Sequence, residues 1–326
     1  YYIFTHDYNE SSGSFYDRVD ALNSNLVETK NREKAKIYIE EFKQTFKRPA
    51  YMESRELYYK RTIKEKIRHE LSPYYQIFLW YYKKPINYME NIGITADYRP
   101  PKIILRDHYC HERYKKYANN FNYYPFDKVK KYVYFPWQFQ PESTIDVEAP
   151  YFSNQTETAR QIAISLPDDY TLVVKDHPAM LGFRSPSYIE RVARTANIKL
   201  IDYRIPSEQV LKRANLVISY NSTTLAEAAF YYKPAIQLGN LGTTLKLPNV
   251  FKHTDMITLS KKIREVLNIN LKTEDYERRL ENYIAAVYDV GFDFNYGKTW
   301  ERGEGDMEEL WRLYKAEIER VLYATL

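Results

Sequence analysis

From Lys131 onward the chain repeats one alternation, a short run rich in β-branched and aromatic residues followed by a short amphipathic run with small residues. The β-rich runs lie at 132–135, 170–175, 199–202, 216–220 and 234–238. Helical patterns at 154–165, 187–196, 207–214 and 223–231 separate them. Strands that alternate with helices pair in parallel, because each crossover helix carries the chain back to the same sheet edge and covers a face. The pattern predicts an α/β half of Rossmann type. It also predicts where a ligand sits, since open α/β sheets bind ligands outside the carboxyl ends of their strands.

The first 130 residues read differently. Helical patterns cover 31–47, with Ala35, Ile37, Tyr38, Ile39 and Phe42 as the apolar face, and 53–70. Pro73 opens a third helix, since Pro is tolerated in a first turn, and another follows at 107–119. A polar, turn-like segment occupies 7–14, and Gly93 with Pro100-Pro101 marks a loop over 91–101. Strands are scarce here, apart from Tyr1-Tyr2-Ile3-Phe4. The chain starts at Tyr1 rather than Met, so a truncated first domain is the expectation. Beyond the sheet region, helices are expected at 260–267, 273–288 and 306–326. The last carries Leu310, Leu313, Tyr314, Ile318, Val321 and Leu322 on one stripe, with Asp306 as its N-cap. The expected organisation is a helix-rich N-terminal domain over 1–130, a Rossmann-type domain over 131–305, and a C-terminal helix over 306–326 that packs back on the first domain.

Charge follows the same division. Residues 1–130 hold 24 Lys and Arg against 17 Asp and Glu, and the remainder 24 against 26. A basic front half attracts anionic ligands or an anionic membrane surface, although a solvated helical face gives the same count. No DNA- or RNA-binding motif accompanies the charge, so a nucleic-acid partner is not expected. Cys110 is the single cysteine, which excludes an intrachain disulfide framework and points to a reducing compartment. No apolar run approaches the roughly 20 residues that cross a bilayer as a helix. The segment Asp107-His108-Tyr109-Cys110-His111-Glu112 tempts a metal reading. On a helix His108 and His111 share a face while Cys110 points away, and no second ligand pair is near, so no metal is expected.

Three constellations carry chemistry. The first is Lys175-Asp176-His177-Pro178 at the end of the second strand. Pro178 holds His177 extended, and the imidazole at a strand end can donate to a phosphate oxygen or carry charge opposite it. Lys175 either adds charge or caps the sheet edge. The second is Asn221-Ser222-Thr223-Thr224 before a helix, where hydroxyls and unbonded backbone N–H groups form an anion cradle compatible with ordinary N-capping. Glu227, one turn into that helix, suits ribose hydroxyls or solvent. The third is Gln138-Phe139-Gln140-Pro141-Glu142-Ser143-Thr144, which follows the first strand of the sheet. Glu142 there suits a nucleophile or general base in glycosyl transfer, with Gln138 and Gln140 offering amides to a polyhydroxylated substrate. Asp146 and Glu148 are neighbouring competitors for the acidic role.

Lys175-Asp176-His177-Pro178-Ala179-Met180, Ser222-Thr223-Thr224-Leu225-Ala226-Glu227-Ala228 and Lys233-Pro234-Ala235-Ile236-Gln237-Leu238-Gly239, in this order, resemble the bacterial capsule polysaccharide synthesis family. The family includes Kdo transferases of the KpsC and KpsS type, related to bacterial sialyltransferases, and its glutamine-led acidic segment is similar to 138–144. The resemblance covers about 130–240. It implies a GT-B architecture, two Rossmann-like domains facing a cleft, the N-terminal one here helix-rich and truncated. It also implies an acceptor side for the domain over 1–130 and nucleotide-sugar binding for the domain over 131–305. It implies a CMP-sugar donor held at His177-Pro178 and Ser222-Thr223, a polysaccharide or glycolipid acceptor, and an acidic catalytic residue at Glu142. Pro141 stands where the family commonly has Asp, which leaves the donor sugar and the stereochemical course open. A CMP-sugar carries one phosphate, so neither a metal nor another cofactor is implied. A cytoplasmic location with peripheral contact with the inner membrane is the matching expectation. Two other readings stay open: a CDP-glycerol-type glycerophosphotransferase, and a non-catalytic nucleotide- or glycan-binding module.

Overall fold

The computed structural model describes residues 3, 14–46, 62–91, 100–294 and 307–324. Most of the expected first strand and of the segment 7–14, the start of the helix expected at 53, the loop around Gly93 and the Asp306 cap lie outside them. The chain begins with α1 (Ser14–Asn23), α2 (Arg32–Thr45), α3 (Ile63–Asn91) and α4 (Pro101–Asn120). Then come β1 (Tyr132–Pro136), the one-turn α5 (Ser143–Asp146), α6 (Gln155–Ser165), β2 (Thr171–Lys175) and α7 (Pro186–Ala193). They are followed by β3 (Ile198–Ile201), α8 (Ser207–Arg213), β4 (Leu216–Ser219), α9 (Thr223–Phe230), β5 (Ala235–Gln237) and β6 (Val250–Lys252). The chain closes with α10 (Leu259–Leu267), α11 (Glu274–Val290) and α12 (Met307–Ala324).

The six strands form one sheet in the order β3-β2-β1-β4-β5-β6, and every pairing is parallel. This is the α/β, Rossmann-type arrangement that the alternation predicts. All five residues of β1 are buried because β2 and β4 flank it and helices cover both faces, which is why the run Tyr-Val-Tyr-Phe has no polar alternation. On one face Tyr132, Tyr134, Val173 and Val217 pack against Val210 and Leu211 of α8 and Leu225 and Ala228 of α9. On the other, α6 packs on β2 and against α10. The sixth strand is three residues long and follows Pro248-Asn249, too short to show a period.

Contacts gather the described residues before 50, those of 123–179 and those from 191 onward into one compact unit. The described residues of 50–122 form a second unit with 180–190. The sequence boundary at 130 therefore differs from the division of contacts, and apolar packing explains the difference. Phe15, Val19 and Leu22 of α1 and Ala35, Ile39 and Phe42 of α2 share a core with Tyr276, Leu280 and Tyr283 of α11 and with Phe230 at the end of α9. The Phe42 and Phe230 rings stack with centroids 4.1 Å apart.

The second unit is built on the α3 and α4 helix pair. The helices expected on either side of Pro73 are one continuous helix. Pro73 removes a single i→i−4 bond, and its ring is buried, while the apolar positions continue in phase across it. His69 Nε2 lies 3.5 Å from Glu112 Oε1, and His108 Nε2 lies 3.9 Å from Glu70 Oε2. His111 packs edge-on against Phe183 with centroids 4.9 Å apart, beneath Gly182. Burial lowers the His111 pKa. Among the described residues no group of three or more His, Cys, Asp or Glu side chains is placed to hold a metal ion, and no helix is long and apolar enough to cross a membrane.

Candidate active site

Strand order reverses direction between β1 and β4, since the chain winds outward through β2 and β3 and then restarts on the other side of β1. Loops leaving β1 and β4 diverge there, and the crevice they open is where a doubly wound sheet receives its ligand. The three sequence constellations all leave carboxyl ends around it: 137–142 after β1, 176–178 after β2 and 220–224 after β4.

The loop after β1 is held by amides. Gln138 Nε2 donates to Ser219 Oγ at 3.2 Å, bridging the ends of β1 and β4. Buried Gln155 accepts from Gln138 N at 2.8 Å and donates to Gln138 O at 3.2 Å and to Gln140 Oε1 at 2.9 Å. Gln140 Nε2 in turn donates to Asp146 Oδ1 at 2.8 Å and to Ser153 O at 2.9 Å. The Gln140–Pro141 peptide is cis. Gln138 thus bonds to the neighbouring strand end and Gln140 to Asp146, Ser153 and Gln155, shaping the loop. Glu142 follows at the start of α5, exposed, with its backbone N donating to Asp146 Oδ2 at 2.9 Å.

His177 is half-buried at the end of β2. Its Nδ1 accepts the Ala179 backbone N–H at 3.1 Å, which fixes the neutral ring as the tautomer with its proton on Nε2. The Phe139 ring meets the imidazole edge-on with centroids 6.2 Å apart, so the loops after β1 and β2 touch at this residue. Pro178 opens a single 3-10 turn, Pro178–Met180. Lys175 is 4 % exposed and its Nζ lies 3.5 Å from Tyr203 O, beyond the end of β3. Its charge also bears on Asp202, where burial raises the carboxyl pKa but Arg204, with Lys175 adding to it, brings the net shift below the ordinary value. The second of the alternatives for Lys175, capping the sheet edge, describes this placement.

Ser222 is the N-cap of α9, its Oγ accepting from Thr224 N at 3.2 Å. Leu225 N donates to Ser222 O at 3.0 Å, which leaves the Thr223 amide and the exposed Thr223 hydroxyl at the start of the helix. The β2 and β4 strands stand on either side of β1, roughly 10 Å apart, so an anion above β1 is within side-chain reach of both loops. Asn221 turns its side chain the other way. Its Nδ2 donates to Glu148 Oε2 at 2.6 Å, and its Oδ1 accepts from Gln237 Nε2 at 2.7 Å. Gln237, fully buried, also donates to Leu241 O at 2.6 Å and accepts from Thr244 Oγ1 at 2.6 Å. A Cβ at Gly239 would lie 2.1 Å from Asn221 Oδ1, so this contact requires glycine. Glu227 is half-buried one turn into α9 and acts on tyrosines: burial first, then its charge, raises the pKa values of Tyr134 and Tyr38.

The arrangement assembles His177, Ser222, Thr223 and the Gln138 loop around one crevice and gives Asn221, Gln140 and Lys175 internal bonds. Sequence reasoning ranked Glu148 as one acidic competitor among several and missed Gln155 and Gln237. Only the pairing of loops distant in sequence distinguishes them, and a polar residue inside a β-rich run, as Gln237 is, was the one available signal.

A family model described as "Capsule polysaccharide biosynthesis protein" matches residues 74–241, which takes in most of α3 and every element from α4 to β5. No curated protein matches the chain. Among solved structures, the chain is similar to Thermosulfurimonas dismutans KpsC, a beta Kdo 2,7 transferase, at 16% identity over 57% of this chain and 55% of that one, with a TM-score of 0.35. It is similar to Methanocaldococcus jannaschii UDP-GlcNAc 2-epimerase at 15% identity over 57% and 52%, with a TM-score of 0.36. The S. aureus MnaA–UDP structure matches at 15% identity over 62% and 52%, with a TM-score of 0.34. The chain spans about half the length of these structures. The family model covers half of the chain, with the helix pair and the crevice inside the match, and on that ground the chain belongs to the capsule polysaccharide biosynthesis protein family.

Proposed function

We propose that the protein is a glycosyltransferase of capsule or other surface-polysaccharide synthesis that moves an acidic sugar of the Kdo kind from a CMP donor to a glycan or glycolipid acceptor. The observation that carries this reading is the crevice between β1 and β4, with the Nε2–H tautomer of His177 on one side and the α9 N-terminus capped by Ser222 on the other. In this reading a donor phosphate takes a hydrogen bond from His177 Nε2 and further ones from the Thr223 amide and hydroxyl. Glu227, one turn into the same helix, is the residue this reading assigns to the ribose hydroxyls. Glu142, exposed on the loop after β1, is the carboxylate that acts at the anomeric carbon as nucleophile or base. Phosphate departs as part of CMP, a leaving group stabilised by hydrogen bonds and the helix dipole, so the reading assigns no metal.

A thermal-shift panel of CMP, CDP, UDP, GDP and their sugars tests it. CMP stabilises the protein in this reading, and His177→Ala removes the stabilisation. Stabilisation by UDP or GDP alone sinks the CMP assignment. A Glu142→Ala protein that binds CMP but transfers no sugar supports the catalytic role, and full turnover by that variant removes Glu142 from the mechanism.

A further inference from the structure

The α3 helix carries a largely exposed apolar stripe, along which Tyr74 shares a side-chain hydrogen bond with Tyr109 of α4. Ile63, Ile67, Leu71, Tyr74, Phe78 and Tyr81 fall within an arc of roughly 80° on a helix turning 100° per residue, and each is between 55% and 78% exposed. Tyr75 and Tyr82 widen one edge, at 62% and 68% exposed. The opposite face, through His69 and buried Pro73, is the one packed on α4. From Ile63 to Tyr82 the stripe runs roughly 28 Å, a contiguous apolar surface of the kind that marks an interaction site.

Charge selects the occupant. Residues 62–122 hold eleven Lys and Arg against six Asp and Glu. That excess equals the whole chain's +5, so the rest of the chain is balanced. A second copy would set excess positive charge against itself, whereas an anionic surface is attracted. Side-chain chemistry narrows it further. Ile63, Ile67, Leu71 and Phe78 along the stripe need hydrocarbon rather than sugar, and the tyrosines at its flanks and far end carry an apolar ring with a polar tip, as residues of a membrane–water interface do. Lys64 and Arg68 fall on one border of the stripe, where their heads reach phosphates while their stems lie along the apolar edge.

We infer that α3 lies in the interface of an anionic phospholipid bilayer, its Ile67–Phe78 stripe among the acyl chains and its basic border on the lipid phosphates. The surface holds the protein on the membrane independently of catalysis at the crevice.

Co-sedimentation of the full chain with phosphatidylcholine vesicles, with and without phosphatidylglycerol, tests this. The expected result is at least about tenfold more protein on the anionic vesicles, reduced by added salt. An Ile67→Ser/Phe78→Ser variant loses about tenfold of that binding while its circular dichroism and its thermal shift with nucleotide stay unchanged, because both positions are exposed. Lys64→Gln/Arg68→Gln lowers binding on anionic vesicles and not on neutral ones. Equal, weak binding to both vesicle types overturns the inference, as does wild-type binding by the serine variant. Soluble glycerophosphate that displaces the protein at low concentration shows recognition of the free phosphate group, and also overturns it. A wild-type dimer in light scattering that the serine variant converts to monomer, without lipid binding, assigns the face to a second copy instead.

Discussion

The Glu148 carboxylate accepts a 2.6 Å hydrogen bond from the Asn221 side-chain amide, which ties the segment after α5 to the loop after β4. The same amide accepts from buried Gln237, so both ends of Asn221 take part in holding the loop. Truncating Glu148 to alanine leaves a part-buried amide without its charged partner. The expected cost is about 1–3 kcal/mol of stability, measured by urea unfolding. In a double-mutant cycle with Asn221→Ala the two losses fall short of additive by at least about 0.5 kcal/mol. Strict additivity would mean that the pair does not couple the loops.

Gly239→Ala puts a methyl group against that same amide, at a built distance of 2.1 Å from Asn221 Oδ1. Something must move, and the network around Gln237 resists movement. The substitution is expected to destabilise the fold by about 1–3 kcal/mol. Combined with Asn221→Ala it should cost less than alone, because the clashing oxygen is gone. A calorimetric midpoint for the single and double variants decides this.

His177 has two jobs that a conservative change separates. Its Nδ1 closes the turn with Ala179 N, and its Nε2–H is the donor assigned to the phosphate. In His177→Asn the side-chain oxygen can replace Nδ1 in the turn, while the outer donor is lost. The variant should melt within a few degrees of wild type and bind CMP about tenfold more weakly, as read by titration calorimetry. Wild-type affinity would take the imidazole out of the site.

Burial lowers the His111 pKa, so the folded state favours its neutral ring. The sign follows: its contribution to stability is complete above the ordinary value of 6.5 and is lost as pH falls through the folded value. Acidification below pH 6.5 should therefore loosen the packing of α4 on Gly182 and Phe183. An NMR titration of the His111 ring protons should show a midpoint below that of a free histidine, with Phe183 shifts following. A midpoint at or above the free value contradicts it. Replacing Phe183 with alanine removes part of the cover and should move the midpoint upward.

Much of the sheet was legible because a buried parallel strand leaves a distinctive trace, a short apolar run between turn residues. Five of the six strands have one, whereas Val250–Lys252 is too brief to show it. Ser222 was readable as a cap because capping is local chemistry. Pro73 misled for the converse reason: proline is a strong local signal, and the continuous apolar phase on both sides of it carries the helix through. The commitments of Asn221 and Lys175 were not legible, since Glu148 and Tyr203 approach them only through strand order. Nothing in the local sequence separates a lysine aimed at a ligand from one aimed at a neighbouring carbonyl.

The stacking of Phe42 on Phe230 gives α9 a foundation laid by the front of the chain. The end of α9 that meets the crevice and the end that rests on α2 are separated by two helical turns. A cut at residue 130 would therefore strip an aromatic face from α9, and a fragment beginning there would expose Phe230 to solvent. The compact unit that carries the sheet is therefore discontinuous in sequence and draws two of its helices from before residue 50.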